Sequence, residues 1–158
     1  MKFADFIFAS AIRAELQARD KEEVIREMTQ ALFDVGNIAA RDYESLVTAL
    51  LKREELGTTV TSTGVAVVHV KHPGVQRIIG TAAVCRPSVD FSGHGGKTAR
   101  SVRFVILLIS PLDCRVEYLK ALSWIERRLQ NDAFCRSLAH ARAAQEIIDL
   151  LDKADKRQ

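Results

Sequence analysis

With 158 residues, 47% of them apolar and 27% charged, the chain has the make-up of an ordinary globular protein. One domain of this size, residues 1–158, buries roughly two-thirds of its unfolded surface. The net charge is only +3 and the basic residues are scattered, which argues against nucleic-acid binding, since that needs a concentrated basic footprint. Cys85, Cys114 and Cys135 are odd in number and form no CxxC pair, so they read as reduced thiols of a cytoplasmic protein.

The opening MKFADFIFASAI imitates a secretion signal, but Asp5 interrupts the short apolar run and Arg13 and Glu15 follow directly. No stretch reaches the ~18 to 20 apolar residues of a membrane span, so direct membrane insertion is not expected. Asp20 followed by Glu23 is a capping-box arrangement. Val24, Ile25, Met28, Leu32 and Val35 then share one helical face, closed by Gly36. After a short turn at residues 36–38, a second helix presents Tyr43, Leu46, Val47, Leu50 and Leu51, and should stop before Gly57.

From Thr63 the period changes. Residues 65–70 are β-branched apart from Ala66 and His69, which predicts a strand ending near the histidine. His72-Pro73-Gly74 is a turn. Residues 78–85 predict a second strand, broken by Pro87, and Val89-Asp90-Phe91 is a short extended piece. Residues 93–96, Gly-His-Gly-Gly, read as a hairpin tip. The continuous apolar run at residues 104–109 predicts a central strand covered on both faces.

The helical period returns after Ser110-Pro111. Asp113 is the expected cap, and Leu119, Leu122 and Ile125 the expected buried stripe. Asn131 should start a short helix through Phe134 and Leu138. A last helix carries Ile147, Ile148, Leu150 and Leu151 before fraying into the polar residues 152–158. The expected architecture is one α/β domain, a small mixed β-sheet flanked by helices on both faces.

Chemistry concentrates between Arg53 and His72. A strand delivers His69 just downstream of a Gly-Thr-Thr turn and a helix-ending Arg-Glu-Glu, so a nucleophilic imidazole, hydroxyls and a fixed cation share one short segment. Such a histidine can accept a phosphoryl group; the bland alternative is an ordinary structural ring. Near neutral pH, an imidazole with its usual pKa of about 6.5 is largely unprotonated and nucleophilic. Phosphoryl transfer asks mainly for in-line positioning and for donors around the equatorial oxygens.

The order Arg53-Glu54, Gly57-Thr58-Thr59, Gly64-Val65-Ala66-Val67-Val68-His69 resembles the enzyme IIA domain of the fructose/mannitol class of the bacterial phosphotransferase system, including its nitrogen-regulatory branch. The segments DKEEVIREM, PSVDF, VRFVILLISP and YLKALS match that family in the same order, so the similarity covers nearly the whole chain. The resemblance implies a phosphotransferase component that forms a phosphohistidine intermediate. His69 would accept a phosphoryl group from a phosphohistidine carrier protein and pass it to a IIB partner, or use it as a signal toward a regulated protein. Thr58 and Thr59 would offer hydroxyl or backbone donors and Arg53 a charge-assisted fork. No cofactor and no metal is implied.

Two positions depart from the family pattern. Val68 stands where the family has proline, which restores a backbone N–H and frees φ. Tyr118 stands where the family has a second histidine in the helix after the central strand. A phenol titrates near ~10, so Tyr118 would donate a hydrogen bond to a phosphoryl oxygen without adding positive charge; otherwise it is a ring packed on a neighbour. These departures favour an alternative, a regulatory binding module of the same fold with a degraded transfer site.

Other groups carry less. His69 and His72 should face opposite sides of a strand, which leaves no compact metal cluster. Lys71 and Arg115 are either a basic rim or solvated side chains. Glu54 either orients Arg53 or is the last exposed turn of a helix. His140 reads as a helix-surface residue, no GxSxG nucleophile elbow appears, and the glycine tip around His94 is wrongly placed for a phosphate loop.

Overall fold

The computed structural model describes residues 1–57, 59–92 and 100–157. The first helix, α1 (Lys21–Asp34), starts where the Asp20 carboxylate accepts the Glu23 N–H at 2.8 Å. The Glu23 carboxylate reaches one residue further back than a capping box requires and accepts the Arg19 N–H at 2.8 Å. Its end is a Schellman closure. Gly36, at φ +84°, donates to Phe33 O at 2.9 Å and Asn37 donates to Leu32 O at 3.0 Å. Helix α2 (Tyr43–Glu54) follows and buries Leu46, Val47, Leu50 and Glu54.

Among the described residues, four strands form one mixed sheet in the order β1-β2-β4-β3. They are β1 (Thr59–Val60), β2 (Val65–Lys71), β3 (Ile79–Asp90) and β4 (Ser101–Ser110). Strand β4 inserts between β2, to which it is parallel, and β3, to which it is antiparallel. That central position explains its unbroken apolar run, because both of its faces are covered.

Side chains alternate across the sheet with period two. Ala66, Val68, Val70, Val105, Leu107 and Ile109 pack with α1 and α2. Val65, Val67, Phe104, Ile106 and Leu108 pack on the other face with α3 (Arg115–Leu129), α4 (Asp132–His140) and α5 (Ala144–Lys156). At about 1.5–3 kcal/mol for each fully buried large aliphatic or aromatic side chain, these two layers supply most of the driving force for folding. The expected α/β architecture, with helices on both faces, is therefore what the chain adopts.

Four local expectations are corrected. Pro87 does not break the second strand. β3 runs through it, and the irregularity is absorbed as a register shift between Val84, opposite Phe104, and Val89, opposite Val102. Helix α3 is capped at Cys114 rather than Asp113, without a side-chain cap bond. Its buried stripe is Tyr118, Ala121, Ile125 and Leu129, whereas Leu119 is 54% exposed.

The C-terminal segment does not fray at residue 152. α5 continues to Lys156 because buried Asp155 accepts the Phe3 N–H at 2.7 Å and the Ala4 N–H at 3.2 Å. The amino-terminal arm, which the sequence reading left without structure, lies along β3. Phe8 donates to Gly80 O at 2.9 Å and Arg13 to Ala82 O at 3.0 Å. The expected hairpin tip at residues 93–96 lies outside the described residues. Among the described residues, no helix is long and apolar enough to cross a membrane.

Candidate functional site

Strand alternation decides which way His69 points. It follows Val65 and Val67 on the face that meets α3, and it sits near the open end of β2, where the ring is only half-buried. Gly64 sets the start of that strand. It holds φ +85°, and a Cβ there would lie 3.1 Å from Ser101 O, so the tight Thr61–Gly64 turn suits glycine.

Tyr118, in the first turn of α3 and buried, presents its hydroxyl to Nδ1 of His69 in a hydrogen bond. The two rings are 5.6 Å apart at 58°. The Lys71 ammonium lies 5.4 Å from the centroid of the Tyr118 ring, a cation–π contact that the sequence alone did not indicate. Arg53, in the last turn of α2, lies near enough for its charge to act on both His69 and Tyr118.

The electrostatics follow from burial and from Arg53. Burial, reinforced by the Arg53 guanidinium, pushes the His69 pKa down to about 4 from its ordinary 6.5. The imidazole is therefore neutral throughout the physiological range. Burial pushes the Tyr118 phenol up against the opposing pull of Arg53, so that group is neutral as well. A neutral ring, a neutral hydroxyl and a nearby guanidinium make a nucleophile set beside a fixed positive charge.

The structure thus brings His69, Tyr118 and Arg53 together. Thr58 and the hydroxyl of Thr59 lie outside the described residues; the Thr59 backbone pairs with Val67 across β1 and β2. Val68 is fully buried on the opposite face, within the parallel ladder opposite Leu107.

Glu54 is not an exposed last turn. It is 4% exposed and paired with Lys21 at 3.0 Å, so it ties the Arg53 end of α2 to the start of α1. His72 belongs to the other layer, as the strand period implied. Its Nδ1 accepts the Gly74 N–H at 2.9 Å, which leaves Nε2–H to donate to Ser45 Oγ at 2.8 Å. Arg115 and His140 are on the surface, the latter 2.7 Å from Arg136 O.

One feature of the site's surroundings escaped sequence reading. Leu112, Val116 and Leu119 are all more than half exposed around the first turns of α3, and Leu56, just beyond Arg53, is 80% exposed. The available signal was their spacing, which sets Leu112, Val116 and Leu119 three or four residues apart on a face next to Tyr118.

A mixed α/β sheet covered on both faces, with a neutral histidine at a strand end beside an arginine, is suited to carrying a small anionic group. The chain belongs to the EIIA 2 family of the phosphoenolpyruvate-dependent sugar phosphotransferase system, whose family model matches residues 5–154. It is 30% identical over 151 residues to the nitrogen regulatory protein of Bradyrhizobium diazoefficiens, covering 96% of this chain and 95% of that one. Its fold matches the crystal structure of nitrogen regulatory protein IIA-Ntr from Neisseria meningitidis, with a TM-score of 0.80, 23% identity, and 94% and 98% of the two chains covered. It also matches the mannitol enzyme IIA of Escherichia coli, solved in complex with phosphorylated mannitol enzyme IIB, with a TM-score of 0.73, 23% identity, and 93% and 97% covered. The chain's role accordingly lies within that system, as a phosphoryl carrier or a regulatory component.

Proposed function

We propose that His69 is the phosphoryl acceptor, with Arg53 and Tyr118 as its partners, in a single domain spanning residues 1–158. The observation that carries this reading is the engagement of Nδ1. With the imidazole proton on Nδ1 and donated to the Tyr118 oxygen, the Nε2 lone pair is free to attack phosphorus. The depressed pKa supports it, because the ring needs no deprotonation before reacting.

In this mechanism the donor is a phosphohistidine carrier protein. Its N–P bond breaks, the electron pair returning to the donor nitrogen, as the bond from Nε2 of His69 to phosphorus forms. Arg53 meets the charge on the equatorial oxygens, and in this reading Thr58 and Thr59 are further donors. Tyr118 accepts from Nδ1 and so holds the ring with Nε2 toward the incoming phosphorus. Passing the group to a IIB-type domain or a regulated protein is the reverse geometry with a second partner.

The exposed leucines and Val116 suit such a cycle. Exposed side chains of this size form the apolar centre of a transient protein contact, and these flank Arg53 and Tyr118 in sequence. A phosphohistidine carrier protein as donor fits work in the cytoplasm. A regulatory use of the phosphoryl group is favoured by Tyr118, which supplies no positive charge, and by the near full-length similarity to a nitrogen regulatory protein.

The test is incubation with a phosphorylated histidine carrier protein, followed by detection of an acid-labile, base-stable phosphate. Wild type should be labelled and His69→Ala should not. Unlabelled wild type would leave the binding-module reading, and labelling that survives His69→Ala would move the acceptor elsewhere.

A further inference from the structure

A cavity of about 390 Å³ opens where the end of α3, the start of α4 and the last turns of α5 meet. Four cations line it, Arg127 and Arg128 from α3, Lys153 from α5 and Arg157 just beyond, and no carboxylate is among the described residues that do so. Phe134 and Leu150 give it an apolar wall. It lies nine residues along α3 from Tyr118, about 14 Å at the helical rise, and shares no residue with the site around His69.

Basic residues at helix C-termini complement the helix dipole, which accounts for each of these side chains on its own helix. It does not account for their convergence on one concavity, into which the N-terminal end of α4 also opens at Asn131. Asp155 does not neutralise them, because it is buried against Phe3 and Ala4 and accepts both of their N–H groups.

Arg128 is also held ready. Its guanidinium lies 3.6 Å from the centroid of the Trp124 ring. The Nε–H of Arg128 and the indole N–H of Trp124 are both buried with no acceptor among the described residues. A stacked guanidinium is pre-oriented and keeps its planar donor edge for a bidentate anion.

We propose that this cavity binds a small organic polyphosphate with a ring or other apolar body, the phosphates on the arginines and lysine and the body against Phe134 and Leu150. The volume falls in the range of small-ligand pockets, and the mixture of an apolar wall with a few convergent charges is their usual make-up. An acidic protein segment would match the charge but has less use for an apolar wall within a concavity of this size.

The chain's single tryptophan is Trp124, so occupancy can be read from its emission and checked by calorimetry. The probes are adenosine triphosphate and inorganic pyrophosphate, each titrated into the intact chain in magnesium-free buffer. The triphosphate should change Trp124 emission saturably and bind at least about tenfold more tightly than pyrophosphate, the apolar body making the difference. Replacing the exposed pair by Arg127→Gln and Lys153→Gln should weaken binding by about tenfold or more, with folding intact. His69→Ala should bind as wild type. Absence of saturable binding at millimolar ligand, equal affinity for the two probes, or an unaffected double variant would each overturn the proposal.

Discussion

Nδ1 of His69 on β2 and the hydroxyl of Tyr118 on α3 are hydrogen-bonded to each other, although 49 residues separate them in sequence. This contact joins the strand end to the helix start and fixes which imidazole nitrogen faces outward. In the proposed reaction it makes Tyr118 a positioning residue for the nucleophile.

Tyr118→Phe removes the hydroxyl but keeps the buried ring. Losing one hydrogen bond of about 1–1.5 kcal/mol should slow phosphoryl acceptance by roughly tenfold, with the fold unchanged. Tyr118→His should accelerate it, because a second imidazole can become a cation whose field reaches the transferring group. Rapid-quench transfer rates for the three proteins decide the matter, and three equal rates would remove Tyr118 from the site.

The pH dependence follows from the displaced His69 pKa. Because the ring stays neutral down to about 4, phosphoryl acceptance should be flat from pH 8 to below 6 instead of falling near the ordinary 6.5. The stability effect has a definite sign. Between 6.5 and about 4 the unfolded chain binds a proton that the folded chain refuses. This contribution to stability is complete above the unfolded value and declines as pH falls through that window. An NMR titration of the His69 ring checks it, and a midpoint near 6.5 would contradict the burial argument.

Arg53→Gln should reduce transfer by about a hundredfold, since charge stabilisation dominates phosphoryl chemistry. Because Arg53 is the second cause of the depressed His69 pKa, the same variant should also raise that pKa modestly, burial being left in place. Loss of transfer with no movement of the His69 titration would mean that the guanidinium acts elsewhere.

Asp155→Ala should unfetter the amino-terminal arm. It leaves the buried Phe3 N–H without an acceptor and frees the Ala4 N–H, at a cost of about 1–3 kcal/mol. Thermal unfolding should register the loss, and hydrogen exchange should show early opening of the arm that lies along β3. Unchanged exchange in residues 3–13 would show that the arm is held by packing alone.

The sequence by itself determined the elements whose period is long and clean. The α1 stripe from Val24 to Leu32, the Asp20 cap, the Gly36 stop and the fully covered β4 were all legible, because each depends on local spacing and on one residue's conformational range. The resemblance carried by residues 53–69 likewise marked His69 and Arg53 before any coordinates.

Tertiary structure decided what depends on several elements at once. The buried face of α3 was misassigned by one residue because Leu119 is more apolar than Tyr118; only the sheet beneath the helix shows that Tyr118 faces in and Leu119 faces out. Pro87 stays within β3 because the five steps from Val84 to Val89 span only two on β4, from Phe104 to Val102, an irregularity of the pairing that no local rule contains. The last turn of α5 persists because Asp155 meets the first residues of the chain, a contact across 152 positions. The neutrality of His69 belongs to the same class: burial and a guanidinium from helix α2 set it, and neither is written beside the histidine.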